Sequence, residues 1–131
     1  MVIFGKQGDS HRRGRFDRSL PGQGLLIWHV DDAKGSDRDE NHYKVGLVQS
    51  DNRRQLEAAE DGGAGNRGDA GDPYPGTSNN SSFGAFTNPN SRTYRSRDSF
   101  VSIRNISAPS QTMTMGIAVR AGLPPTQASK L

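Results

Sequence analysis

The chain contains no cysteine, so neither a disulfide nor a thiolate-held zinc ion can staple it. Large apolar residues are scarce as well. Leu, Ile, Val and Phe together number 23 of 131 residues, a share below the roughly 20% under which chains tend toward disorder. The strong charge imbalance that completes that signature is missing, since the formal net charge is only +3. These two facts predict one domain with a modest core and long polar loops. No apolar run approaches the roughly 20 residues of a membrane-spanning helix. The opening residues, MVIFGK, carry too short an apolar segment for a signal peptide, so any export signal is expected to belong to a longer precursor. The excess of 17 Lys and Arg over 14 Asp and Glu is small and does not imply a polyanionic partner. Lys6, Arg12, Arg13, Arg15 and Arg18 crowd the start, and Arg92, Arg95 and Arg97 surround Tyr94. A nucleic-acid surface would need these charges to share a face with stacking aromatics; solvated loop charge, without a nucleic-acid partner, is the expectation.

What is present is β-like. Residues 24–31, GLLIWHVD, read as a buried strand ending in polar side chains, with Leu25, Ile27 and His29 on one face and Leu26, Trp28 and Val30 on the other. Apolar groups on both faces predict a central strand. Residues 43–50 form the next strand, antiparallel to the first, with Tyr43, Val45 and Leu47 on one face. A short helix is expected over residues 52–60, with Asp51 as N-cap, Leu56 and Ala59 facing inward and Gly62 and Gly63 as the stop. Residues 61–98 make a long loop rich in Gly, Asn, Ser and Pro, a length that points to a bound ion, a functional surface or mobility. Strands close the chain at about residues 99–107 and 112–120; in the last, Met113, Met115, Ile117 and Val119 are expected to face the core. The predicted fold is therefore mainly β: an antiparallel sheet of about four strands, one short helix and a long Gly/Asn/Ser/Pro-rich loop. Its divisions are a basic N-terminal segment (1–19), a β-rich unit (20–121) and a disordered tail (122–131) carrying Pro124 and Pro125.

Residues 68–76, GDAGDPYPG, hold the chief candidate site. Asp69 and Asp72 stand three apart in a turn where Gly68 and Gly71 permit tight curvature. Calcium takes six to eight oxygen ligands, and two carboxylates with neighbouring carbonyls supply several. The closing glutamate of an EF-hand loop is absent, so Asp61, Asn66 or a distant loop would complete the shell. The competing reading is an Asx-turn in which each aspartate accepts from nearby backbone N–H groups. His29, Asp31 and His42 form a second candidate, able to bind a metal or orient a substrate. Because His29 shares a face with Leu25 and Ile27, a hydrogen-bonded core histidine is expected, with Asp31 capping the following loop and His42 in a structural turn. No nucleophile elbow supports a serine hydrolase. Asn79, Asn80 and Asn105 begin glycan-acceptor triplets, which their frequency in an Asn- and Ser-rich chain explains.

The order of several short pieces adds a further expectation. Leu20, Pro21 and Gly22 precede Trp28, His29, Val30 and Asp31. Asn41 and His42 follow, then Val45 through Asp51, Leu56 and the Gly68 to Gly76 turn. Pro89, Asn90, Ser91 and Tyr94 come next, before Ser99 through Ile103, Ile106, Ser107, Met113 and Met115. This ordered set resembles the C-terminal part of the catalytic region in the immune inhibitor A family of secreted zinc metalloproteases, over roughly residues 16 to 119. Departures are Asn52 where the family pattern has glycine, the absence of glycine from residues 108–111, and only a faint echo of the preceding strand at Lys6 and Gln7. The resemblance implies an extracellular protein, reliance on calcium, and peptide-bond hydrolysis in the full-length parent. Such proteases carry H-E-x-x-H, two zinc ligands one helical turn apart with a glutamate that activates the metal-bound water. No such string occurs: His11, His29 and His42 each lack it. The motif lies upstream in the family, so this chain is expected to be a non-catalytic portion, inactive alone. Its partners would be the missing N-terminal catalytic part and, in the parent, a protein or peptide substrate. Zinc would be bound only in that parent, and no catalytic residue is assigned here. The alternative is a stand-alone β module that binds calcium or a protein partner.

Overall fold

The structure, a computed structural model, describes residues 21–39, 41–57 and 67–120, together with the main chain of residues 2–7. Its strands are β1 (Val2–Gln7), β2 (Gly24–Val30), β3 (Val45–Val48), β4 (Val101–Arg104) and β5 (Gly116–Val119). They form two antiparallel sheets, ordered β1-β2-β3 and β4-β5. A strand with apolar side chains on both faces belongs in the interior of a sheet. β2 sits there, with Ile27 opposite Phe4 on one side and Val48 on the other. The mainly β, antiparallel fold expected from the sequence is thus the one observed.

The core joins the two sheets. Leu25 and Ile27 from β2 and Ile103 from β4 are buried together with Tyr74, Phe83 and Ile106, while Val48, Met113 and Met115 pack against them in part. Each such burial contributes ~1.5–3 kcal/mol. Two members of the core, Tyr74 and Phe83, come from the long segment outside the strands; their rings meet edge to face at 6.0 Å. Tyr74 is tied to β2 and Phe83 to β4 by isolated antiparallel bridges, Leu25 with Tyr74 and Phe83 with Ile103. From residue 67 onward, the long loop therefore acts as the middle layer between the sheets. Cis peptide bonds precede Pro75 and Pro89 within it.

Two expectations need correction. The helix over 52–60 does not form in its described part: residues 51–57 run in turns, and Asn52 and Arg54 take φ values of 57° and 54°, a left-handed conformation that helix hydrogen bonding cannot continue through. Asp51 accepts from the N–H of Arg53 as an Asx-turn instead of capping a helix, and Leu56 remains partly exposed at 36%. Residues 58–66, including Ala59 and the expected stop, lie outside the described residues. The second correction concerns β5. Met113 and Met115 reach the core, but Ile117 and Val119 are 50% and 71% exposed. Alternation fixes which side chains share a face; here the two-stranded sheet extends beyond the core that would cover that face. The expected disordered tail and the basic group at Arg12 to Arg18 also fall outside the described residues.

Candidate functional site

The acidic turn is built by main-chain ties before any carboxylate is placed. Leu25 and Tyr74 exchange N–H to carbonyl bonds of 2.8 Å in both directions, and the N–H of Ser50 donates to the carbonyl of Asp72 at 2.9 Å. Residues 72–75 are thereby fastened to the start of β2 and to the segment leaving β3. Within the turn, the N–H of Asp69 donates to Asp72 Oδ2 and the N–H of Gly71 to Asp69 Oδ1, both at 2.6 Å. These are the Asx-type bonds that the competing reading requires. They leave oxygens over. Asp72 is 5% exposed, and its Oδ1 is buried without a hydrogen-bond partner among the described residues.

Asp51, proposed from the sequence only as a helix cap, converges on the same place. A β-carbon built on Gly71 would lie 2.5 Å from Asp51 Oδ2 and 2.9 Å from Asp69 Oδ1. Only the absence of a side chain at Gly71 lets the two carboxylates close over it. Burial pushes the Asp72 carboxyl above the ordinary aspartate pKa; the nearby charges of Asp69, Asp51 and Glu57 push the same way, against the bond from the Asp69 N–H. Arg53 approaches Asp51 at 3.6 Å and offsets part of this negative charge. Among the described residues, no three His, Asp or Glu side chains are arranged as a ready metal-ligand set. A cation would have to use Asp72 Oδ1, the Asp69 and Asp51 carboxylates and main-chain carbonyls, which is the oxygen chemistry calcium accepts. Asp61 and Asn66 lie outside the described residues.

The histidine group forms a separate site. Asp31 Oδ2 accepts a 2.8 Å hydrogen bond from His42 Nε2, and Asp31 Oδ1 accepts from the N–H of Ala33. These two bonds hold the Asp31 carboxyl below its ordinary pKa, the His42 bond contributing most. Asp31 thus caps the following loop as expected, while His42 does more than occupy a turn. The Tyr94 ring is stacked on His29 at 4.5 Å and lies 3.7 Å from the tilted His42 ring. His29 is half-buried, and burial lowers its pKa from the usual histidine value. Burial raises that of Tyr94, aided by the Asp31 charge. The Tyr94 hydroxyl lies against β3, 3.7 Å from where a β-carbon on Gly46 would stand, an ordinary van der Waals distance.

An open cleft of about 820 Å³ lies beside this stack. Its lining combines an apolar floor of Ile27, Val48, Phe83 and Val101 with Asp31, His42 and a wall of residues 90–95 and 97–99. The arginines around Tyr94 are part of that wall. The sequence groups them with Tyr94 but does not place Tyr94 against His29, because the pairing of Tyr94 with two histidines, 52 and 65 residues away in the chain, has no local signature. No protein-family model, curated protein or solved structure matches the chain.

Proposed function

We propose that this chain is the non-catalytic C-terminal portion of a secreted zinc metalloprotease, in which it frames one wall of the substrate cleft and carries a calcium-stabilised turn. The observation that carries the reading is the position of the cleft. It opens at the end of the central strand, beside His29 and the following Asp31, so a substrate lying in it would run along that strand. The apolar residues uncovered on β5, Ile117 and Val119, suit a chain that packs against a further part of the same protein. Hydrolysis in that parent would be attack of a zinc-activated water on a peptide carbonyl. Nothing in this sequence supplies an H-E-x-x-H pair of ligands, so within this reading the chain shapes and binds but does not cleave.

The calcium element rests on Asp72. A buried carboxylate oxygen without a partner is costly, and a bound cation shared with Asp69 and Asp51 would offset that cost. The direct test of the protease reading is the coding DNA immediately upstream. An in-frame H-E-x-x-H is the expected result. A stop codon directly before this chain would leave the stand-alone β module, and cooperative unfolding of a monomer without exposed-apolar dye binding would then support that module.

A further inference from the structure

We infer that the cleft selects an acidic peptide segment, with Arg95 and Arg97 as the selecting side chains. This deepens the reading of the groove as a substrate cleft and rests on it. Four cations line the cleft, Lys34, Arg92, Arg95 and Arg97, against two carboxylates, Asp31 and Asp98. Most of these charges are already engaged. Lys34 pairs with Asp39 at 3.1 Å. Arg92 donates to the carbonyls of Ala85 and Ser96 and lies over the Phe86 ring. Asp31 accepts from His42 and Ala33, and Asp98 from the N–H of Phe100. Arg95 and Arg97 remain. Both are exposed, and neither guanidinium has a hydrogen-bond or ion-pair partner among the described residues. A guanidinium presents donors in a fork that matches a carboxylate, so the unsatisfied capacity of this wall is for anions.

The floor decides between classes of anion. Its accessible apolar residues are the partly exposed Val48 and Val101, aliphatic in the manner of a site for side chains, with Ile27 and Phe83 almost fully buried behind the lining. A single-stranded nucleic acid would instead need free aromatic faces on which bases stack. Tyr94, the ring beside the arginines, is 38% exposed but already meets the rings of His29 at 4.5 Å and His42 at 3.7 Å, so bases would compete with two rings for it. An extended peptide with carboxylates toward Arg95 and Arg97 and apolar side chains toward the floor satisfies both surfaces.

Fluorescence anisotropy with labelled short peptides tests this on the whole chain. One peptide alternates glutamate with leucine, its counterpart alternates lysine with leucine, and a short oligothymidylate is the third probe. The acidic peptide is expected to bind about tenfold tighter than the lysine peptide at low ionic strength, a preference that shrinks as salt is added. Arg95→Ser/Arg97→Ser abolishes the preference; Arg104→Ser/Arg120→Ser, away from this cleft, retains it. Both pairs are exposed, and unchanged Trp28 emission checks that each variant is folded. Equal binding of the two peptides, a preference that survives in the Arg95/Arg97 variant, or oligothymidylate that competes as well as the acidic peptide overturns the proposal. Binding needs neither zinc nor an upstream part, so a negative result beside an upstream H-E-x-x-H rejects the selectivity while leaving the protease reading intact.

Discussion

Leu25 and Tyr74 exchange both of their main-chain hydrogen bonds, each 2.8 Å long, and so join the central strand to the aspartate-bearing turn. Gly24 makes this contact possible. Its φ is 152°, and a β-carbon there would stand 2.3 Å from the Tyr74 carbonyl oxygen. Gly24→Ala is therefore expected to destabilise the chain by more than ~1 kcal/mol, since both the conformation and the contact are refused to a side chain. A urea midpoint equal to that of the native chain would show that the bridge does not form in solution.

Tyr74 supplies a second test because its ring and its hydroxyl act in opposite directions. The residue is fully buried, yet its hydroxyl has no hydrogen-bond partner among the described residues, and burial holds its pKa far above the ordinary tyrosine value. Tyr74→Phe removes an unsatisfied polar group and is expected to stabilise the chain by about 1 kcal/mol. Tyr74→Ala leaves a cavity between the sheets and is expected to cost about 3–5 kcal/mol. A clear loss of stability in the phenylalanine variant would mean that the hydroxyl is satisfied in the folded chain.

Calcium should raise the thermal midpoint. A ligand at a hundredfold excess over its Kd stabilises by about 2.7 kcal/mol, which for a domain of this size is on the order of 10 °C. The effect should be absent with chelator and in Asp69→Asn/Asp72→Asn, and reduced in Asp51→Asn. A midpoint indifferent to calcium, or a shift that persists in the double variant, would leave only the Asx-turn reading.

The pH dependence of stability should carry the signature of His29. Its folded pKa lies below the ordinary value because burial disfavours the charged ring. The unfolded chain then binds the proton first as pH falls, so the contribution of His29 is complete above the ordinary histidine pKa of about 6.5 and is lost as pH falls from there through the folded value. Asp31, whose folded pKa is also depressed, acts in a lower window, losing its contribution as pH falls below the ordinary aspartate range. Denaturation midpoints between neutrality and about pH 5 should therefore fall more steeply for the native chain than for His29→Gln. Parallel slopes for the two chains would show that His29 is not held neutral by the fold.

How much was legible in the sequence differs by element. β2 announced itself through alternating Leu25, Ile27 and His29, and its apolar character on both faces placed it centrally; the observed pairing with β3 follows. The helix over 52–60 failed because spacing and a capping residue express preference only, whereas Asn52 and Arg54 adopt left-handed backbone that spacing does not report. β5 was legible as alternation, but Ile117 and Val119 remain exposed because alternation says nothing of what lies above a face. In the acidic turn, Asp69 and Asp72 were visible as a pair three residues apart. Asp51 was not, since it reaches Gly71 across a distance in the chain that no local spacing encodes.

The sequence by itself determined strands β2 to β5, the glycine-permitted turn and the absence of a zinc-binding helix motif, because each depends on residues that are neighbours in the chain. Only the tertiary structure decided that Tyr74 bonds to Leu25, that Asp51 joins Asp69, and that Tyr94 meets both His29 and His42. Those contacts depend on which distant backbone groups pair and which buried side chains fill the space between two sheets. Local periodicity carries no record of either.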